Sequence, residues 1–164
     1  MRPIQLLGVV AIALLFSFCA EDPELVQAKL EEAAKQNERD FIEALREHIA
    51  SVEAKDFRRI IKTIPSDGDL NLILPNGRKF TTAEEFRELH EPWFDEPDWS
   101  IKFQVLFTDV ASEYGIAVCE ATHRKPGEND VELVHKMHVT YAFKKIDDNW
   151  NMVMDHASTL EKTP

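Results

Sequence analysis

The chain has 164 residues, with 19 Lys and Arg against 30 Asp and Glu and a formal net charge of −11. That balance repels phosphate backbones and no Lys/Arg cluster offsets it, so no nucleic-acid partner is expected. Two cysteines, Cys19 and Cys119, support neither a disulfide framework nor a thiolate metal site, and the length suits one domain with a core of its own.

Arg2 precedes an apolar run from Ile4 to Phe18 that only Gln5, Gly8 and Ser17 interrupt. A bilayer-spanning helix needs about 20 apolar residues, and this run is shorter. It gives way abruptly to Glu21, Asp22 and Pro23, the pattern of a secretory signal. Phe16-Ser17-Phe18-Cys19 resembles a bacterial lipobox, in which Cys19 would become the lipid-modified first residue; Phe18 stands where that pattern takes a small residue. Cleavage before Ala20 is the alternative. Residues 1–19 are thus predicted to be a signal peptide or lipoprotein signal. The mature protein is expected outside the cytoplasm: periplasmic, secreted, or tethered to a membrane through Cys19.

Residues 23–55 carry Leu30, Phe41, Ile42, Leu45, Ile49 and Val52 at helical spacing, with 20–37 as a thinly apolar, solvated lead-in. A short helix through Phe57, Ile60, Ile61 and Ile64 stops at Pro65, Asp67 and Gly68. Alternating Leu70, Leu72 and Leu74 predict a strand over 69–74, turned by Pro75-Asn76-Gly77. Thr82 and Glu85 form a capping-box pattern ahead of a helix striped by Phe86, Leu89 and Trp93 and ended by Pro92 and Pro97. Period-two alternation then predicts a meander of strands near 99–109, 113–124, 131–145 and 149–158, with loops at Lys125–Asp130 and at Asp148-Asn149.

Register decides which side chains share a sheet face. Closing the meander over those loops pairs Val118 with Met137, Ile116 with Val139, Glu120 with His135, and Tyr141 with His156. The result is a polar group on a bulky apolar face: Glu120, His135, Tyr141 and His156, with Tyr114 nearby. Carboxylate and imidazole in an apolar setting can bind a ligand or shift each other toward proton transfer, although structural pairs do the same. The opposite face carries Gly115, Ala117, Cys119 and Ala121, a smooth surface suited to a second subunit. His123, Lys136, His138 and Asp155 also fall there, without any known metal-ligand spacing. Trp93, Trp99 and Trp150 are expected as core anchors, and His48, His90 and Glu84, Glu85 and Glu88 as solvated helix positions. No glycine-rich phosphate loop, nucleophile elbow or zincin motif occurs, so no cofactor and no metal are predicted.

The order of these elements, the ending Asn149-Trp150-Asn151-Met152-Val153-Met154-Asp155-His156-Ala157-Ser158, the helix end Val52-Glu53-Ala54-Lys55-Asp56-Phe57 and the segment Leu72-Ile73-Leu74-Pro75-Asn76-Gly77 resemble the nuclear transport factor 2-like superfamily, and within it the SnoaL-like group, over residues 38–160. The resemblance implies an α+β fold: a curved antiparallel sheet wrapped on N-terminal helices into a cone with an internal pocket, usually as a homodimer. The superfamily holds isomerases, cyclases and dehydratases beside non-enzymatic binding and association domains, so fold leaves the chemistry open. No catalytic residue is carried over. The expected function is a non-catalytic, exported pocket domain that binds a small, largely apolar molecule or serves as a dimeric assembly module. The alternative is a proton-transfer enzyme acting on a cyclic carbonyl compound, with Glu120 or a histidine as base.

Overall fold

The computed structural model describes residues 22–127 and 131–163, so the predicted signal with Cys19 lies outside the described residues. Helix α1 (Pro23–Glu53) begins where its sequence permits. Asp22 accepts the Glu24 N–H at 3.0 Å, and Pro23 occupies a first-turn position whose amide would lack a partner. From Pro23 on, the predicted lead-in is part of this helix and is largely exposed, with Val26 and Asn37 half-buried. Burial starts at Phe41 and recurs at Leu45, His48 and Val52, one stripe at three- and four-residue spacing. Asp56 caps the short α2 (Phe57–Ile60).

Strand β1 (Asp69–Ile73) turns at Gly77, whose φ of +82° suits a residue without Cβ, into β2 (Lys79–Thr82). That second strand was not predicted: four residues are too few for a periodic signal. Thr82 and Glu85 form the expected capping box of α3 (Ala83–Asp95), which runs through Pro92 before stopping at Asp95. The remaining strands are β3 (Ser100–Val110), β4 (Tyr114–Pro126), β5 (Glu132–Ile146) and β6 (Asn149–Lys162).

The six strands lie in the order β2-β1-β6-β5-β4-β3. All neighbouring pairs are antiparallel except β1 with β6, which is parallel and returns the first strand to the far side of the meander. The fold is α+β, an open curved sheet packed on its N-terminal helix, as expected. At the centre of the core Phe41 meets the rings of Phe143 and Trp150 edge-on, at centroid distances of 5.6 and 5.4 Å.

Two hairpins correct the predicted register. The β4–β5 connection leaves five residues, 127–131, between the strands instead of six, so Ala117 pairs with Tyr141, Cys119 with Val139 and His123 with His135. The β5–β6 turn falls one residue earlier than predicted, at Asp147-Asp148, both at positive φ (49° and 62°). Aspartate tolerates that conformation, as the two-residue hairpin turn requires. A bulge between Ala142 and Phe143 then shifts the ladder once more, setting Tyr141 opposite Asp155 and Thr140 opposite His156. Tyr141 and His156 therefore project from opposite faces.

The small-residue face is corrected as well. Gly115, Ala117, Cys119 and Ala121 are buried in the core under the chain's own helices and are not open to a second subunit. A Cβ at Gly115 would collide with the Phe41 ring, so glycine here lets α1 approach the sheet.

Candidate functional site

The concave face of the sheet does not close completely on the helices. A cavity of about 430 Å³ remains between α1, α3, the end of β1 and strands β3–β6. Its apolar walls include Val52, Leu72, Ile101, Met137 and Val139, all at most 8% exposed. Trp93 forms a further wall. It is half-buried and stacked on Trp99 at 4.2 Å, so it borders the cavity and does not act purely as a core anchor, whereas Trp99 and Trp150 are buried as expected.

Four polar side chains face the deep part of this space: His48, His90, Tyr141 and Asp155. Both histidines were predicted to be solvated, and both are buried, at 1% and 6% exposure. His90 Nδ1 lies 2.8 Å from the Phe86 carbonyl oxygen, which only accepts, so Nδ1 carries the proton. His48 Nδ1 lies 2.6 Å from Thr63 Oγ1, whose single hydrogen is donated to the Ile60 carbonyl at 2.7 Å; Nδ1 of His48 is therefore the donor. Each ring keeps Nε2 as an unprotonated acceptor. Burial pushes His48 down to about 3, helped by the nearby His90, and burial pushes His90 down to about 4 against the raising effect of the Phe86 carbonyl. Both rings are neutral at pH 7.

Tyr141 is 2% exposed, and its ring stands edge-on to His48 at 5.0 Å. Burial, then the neighbouring Asp155, holds its phenol protonated well above the usual value. Across the β5–β6 ladder Asp155 is lifted to about 7 by burial. Among the described residues neither side chain makes a hydrogen bond to the protein, so a donor–acceptor phenol and a half-ionised carboxyl stand ready for whatever occupies the cavity. Cys119 also faces the concave side, and burial raises its thiol to about 11, too high for a nucleophile at neutral pH.

Of the five predicted ligand-binding residues, the structure brings Tyr141 and His135 to the cavity. Tyr114, Glu120 and His156 are on the outer face: Tyr114 is 54% exposed, Glu120 is paired with Gln104 and His138, and His156 with Thr140 and Ile73. Glu120 therefore cannot act in the cavity, and the predicted Glu120–His135 pair does not form. His123 and Asp155, assigned to the opposite face, are cavity residues. A signal for the missed histidines existed. His48 continues the Phe41–Leu45–Val52 stripe, and His90 follows Phe86 by one helical turn. Asp155 offered no such sign, since its face depends on the bulge between Ala142 and Phe143. No group of three or more metal-ligating side chains stands together among the described residues.

The SnoaL-like domain model matches residues 39–161. The chain belongs to the SnoaL-like domain family. No curated protein sequence matches it. Among solved structures this SnoaL-like domain is similar to a ketosteroid isomerase-like protein from Erwinia carotovora atroseptica, with TM-score 0.62, 11% identity and coverage of 75% of this chain and 95% of that one. A nuclear transport factor 2-like superfamily protein from Salmonella enterica gives TM-score 0.65 at 13% identity, covering 80% and 96%. A cystatin-like domain of unknown function from Nostoc punctiforme gives 0.60 at 15%, covering 75% and 76%. At these identities the likeness is one of fold.

Proposed function

We propose that this SnoaL-like domain is an exported receptor whose cone encloses one small, largely apolar molecule, and that it works as a homodimer. The observation that carries the binding reading is the cavity itself. About 430 Å³ lies within the range of small-molecule sites, and apolar walls with a few convergent polar groups are what such sites present. Apolar contact supplies affinity. Tyr141, Asp155 and the two imidazole Nε2 atoms fix the orientation of a hydroxyl, amine or carbonyl group. Export rests on the apolar segment ahead of Glu21. With the concave face taken by α1, a second copy is left the outer face, where Phe107, Tyr114 and Ile116 are 56%, 54% and 45% exposed.

Titration with the neutral fluorophore N-phenyl-1-naphthylamine tests the receptor reading. Saturable, one-to-one enhancement is expected, abolished by Val139→Trp, which fills the cavity. Fluorescence that never saturates, or that survives Val139→Trp, would count against it.

A second reading is favoured by one feature, the Asp155 carboxyl at about 7 beside the Tyr141 phenol. A base is most effective when its pKa lies near the working pH. Asp155 would remove a proton from the carbon next to a carbonyl and return it elsewhere, while the Tyr141 hydroxyl donates a hydrogen bond to the enolate oxygen as charge develops. The base of this reading is thus Asp155 in place of Glu120. Deuterium exchange into cyclohexanone, followed by proton NMR, should be faster than buffer and lost in Asp155→Asn; exchange no faster than buffer would remove the reading.

A further inference from the structure

The receptor reading leaves the ligand's outer end undefined, and the mouth of the cavity supplies chemistry for it. Exposure rises along the lining from the buried Tyr141 and Val139 through half-buried His123 and His135 to exposed Thr159 and Lys162. The last named groups form one row across three strands. His123 is the register partner of His135 on β4–β5, and His135 that of Lys162 on β5–β6. This end of β6 is held in place, because Val134 N–H donates to Thr163 Oγ1 at 2.8 Å and Thr163 N–H returns a bond to the Val134 carbonyl at 3.0 Å. His135 is fixed by a contact of 2.8 Å between Nε2 and Thr159 Oγ1.

The neighbouring charges sort by face. Glu161 projects outward and pairs with Lys136 at 3.0 Å, whereas Lys162, one residue on, lines the cavity and has no ion-pair partner among the described residues. A cationic mouth on a protein of net charge −11 is not the by-product of a basic surface. Burial and then Lys162 depress His135, and burial, then Lys125 and His135, depress His123, whereas an anion seated at the mouth would act in the opposite direction on both. The acidic groups near this row are Glu96, which acts on His123, Asp155 deeper in the cone, and Glu161 beside Lys162 on the outer face, where it is paired with Lys136.

Resting on the receptor reading, we infer that the ligand is an amphiphilic acid: an apolar body lies along Val139 and Trp93, and an anionic headgroup sits at the mouth between Lys162 and the imidazoles of His135 and His123. Lys162 contributes the charge. The imidazole N–H groups add charge-assisted hydrogen bonds, which are about twice as strong as neutral ones.

Two probes with the same apolar body separate the headgroup from the pocket: 1-anilinonaphthalene-8-sulfonate and N-phenyl-1-naphthylamine, which lacks the sulfonate. The full domain is expected to bind the sulfonate at least about tenfold more tightly at low salt, the gap narrowing as salt is raised. Lys162→Glu, at an exposed position, should abolish that preference and leave the neutral probe within about twofold. His135→Gln should reduce it in part. Val139→Trp should eliminate both probes. If the neutral probe binds as well as the sulfonate while Val139→Trp removes both, the headgroup site is overturned and the receptor reading stands. If neither binds, both fall. Sulfonate binding that survives Val139→Trp is surface binding and overturns the headgroup site.

Discussion

Replacing Asp155 with Asn removes one ionisation at the centre of the cavity with little change of shape. The folded protein holds the Asp155 proton at about 7, against a reference value of 3.8. A carboxyl raised in this way binds its proton more tightly folded than unfolded, so it lowers stability progressively as pH rises from the unfolded toward the folded value and by a constant amount above it. At about 1.4 kcal/mol per pH unit the ceiling is about 4 kcal/mol, of which about 2.5 kcal/mol accrues between pH 5 and pH 8. Asp155 is half-buried and borders a cavity large enough for water, so an observed difference of about 1–2.5 kcal/mol is expected. The assay is urea unfolding of the wild type and Asp155→Asn at both pH values. Tyr141 and Cys119, the groups Asp155 acts on, stay protonated in the folded protein between pH 5 and pH 8, so the change in the stability difference isolates Asp155. The variant should gain on the wild type as pH rises. Parallel pH profiles would show that Asp155 ionises freely, and would remove both the buried carboxyl and the proton-transfer reading.

Gly115→Ala should destabilise the fold by about 1–3 kcal/mol in urea, because Phe41 is held by Phe143 and Trp150 and cannot retreat from a new methyl group. Tyr141→Phe should change stability by less than about 0.5 kcal/mol, since the hydroxyl has no protein partner to lose, while weakening any ligand that bonds to it; a loss of about 1–3 kcal/mol would mean a hidden intramolecular bond. Ile116→Arg should convert a dimer to monomers by light scattering, and a monomeric wild type at high micromolar concentration would refute the proposed assembly. Intact mass of protein from its native host should lack residues 1–18 or 1–19, and a diacylglycerol addition on Cys19 would establish the lipoprotein; retention of Met1–Phe18 would refute export.

Local chemistry was legible along the chain. The Thr82–Glu85 box, the Phe41–Leu45–Val52 stripe and the alternation of four long strands each depend on residues within a few positions of one another, so they specify helices, caps and strands without knowledge of what packs where. The element order sufficed for the family and the cone. Which side chains line the cone was decided by tertiary structure. The strand period is two, so one residue more or less in the loop at 127–131, or one extra residue at the bulge between Ala142 and Phe143, exchanges the two faces of a whole strand, whereas the turn at Asp147-Asp148 instead of one position later slides the ladder by two and keeps them. That parity moved Tyr114, Glu120 and His156 outward and brought His123 and Asp155 in. It also placed the small residues under α1, where Gly115 makes room for Phe41. His48 and His90 became site residues because their helices pack against that concave face, and burial then made them neutral acceptors.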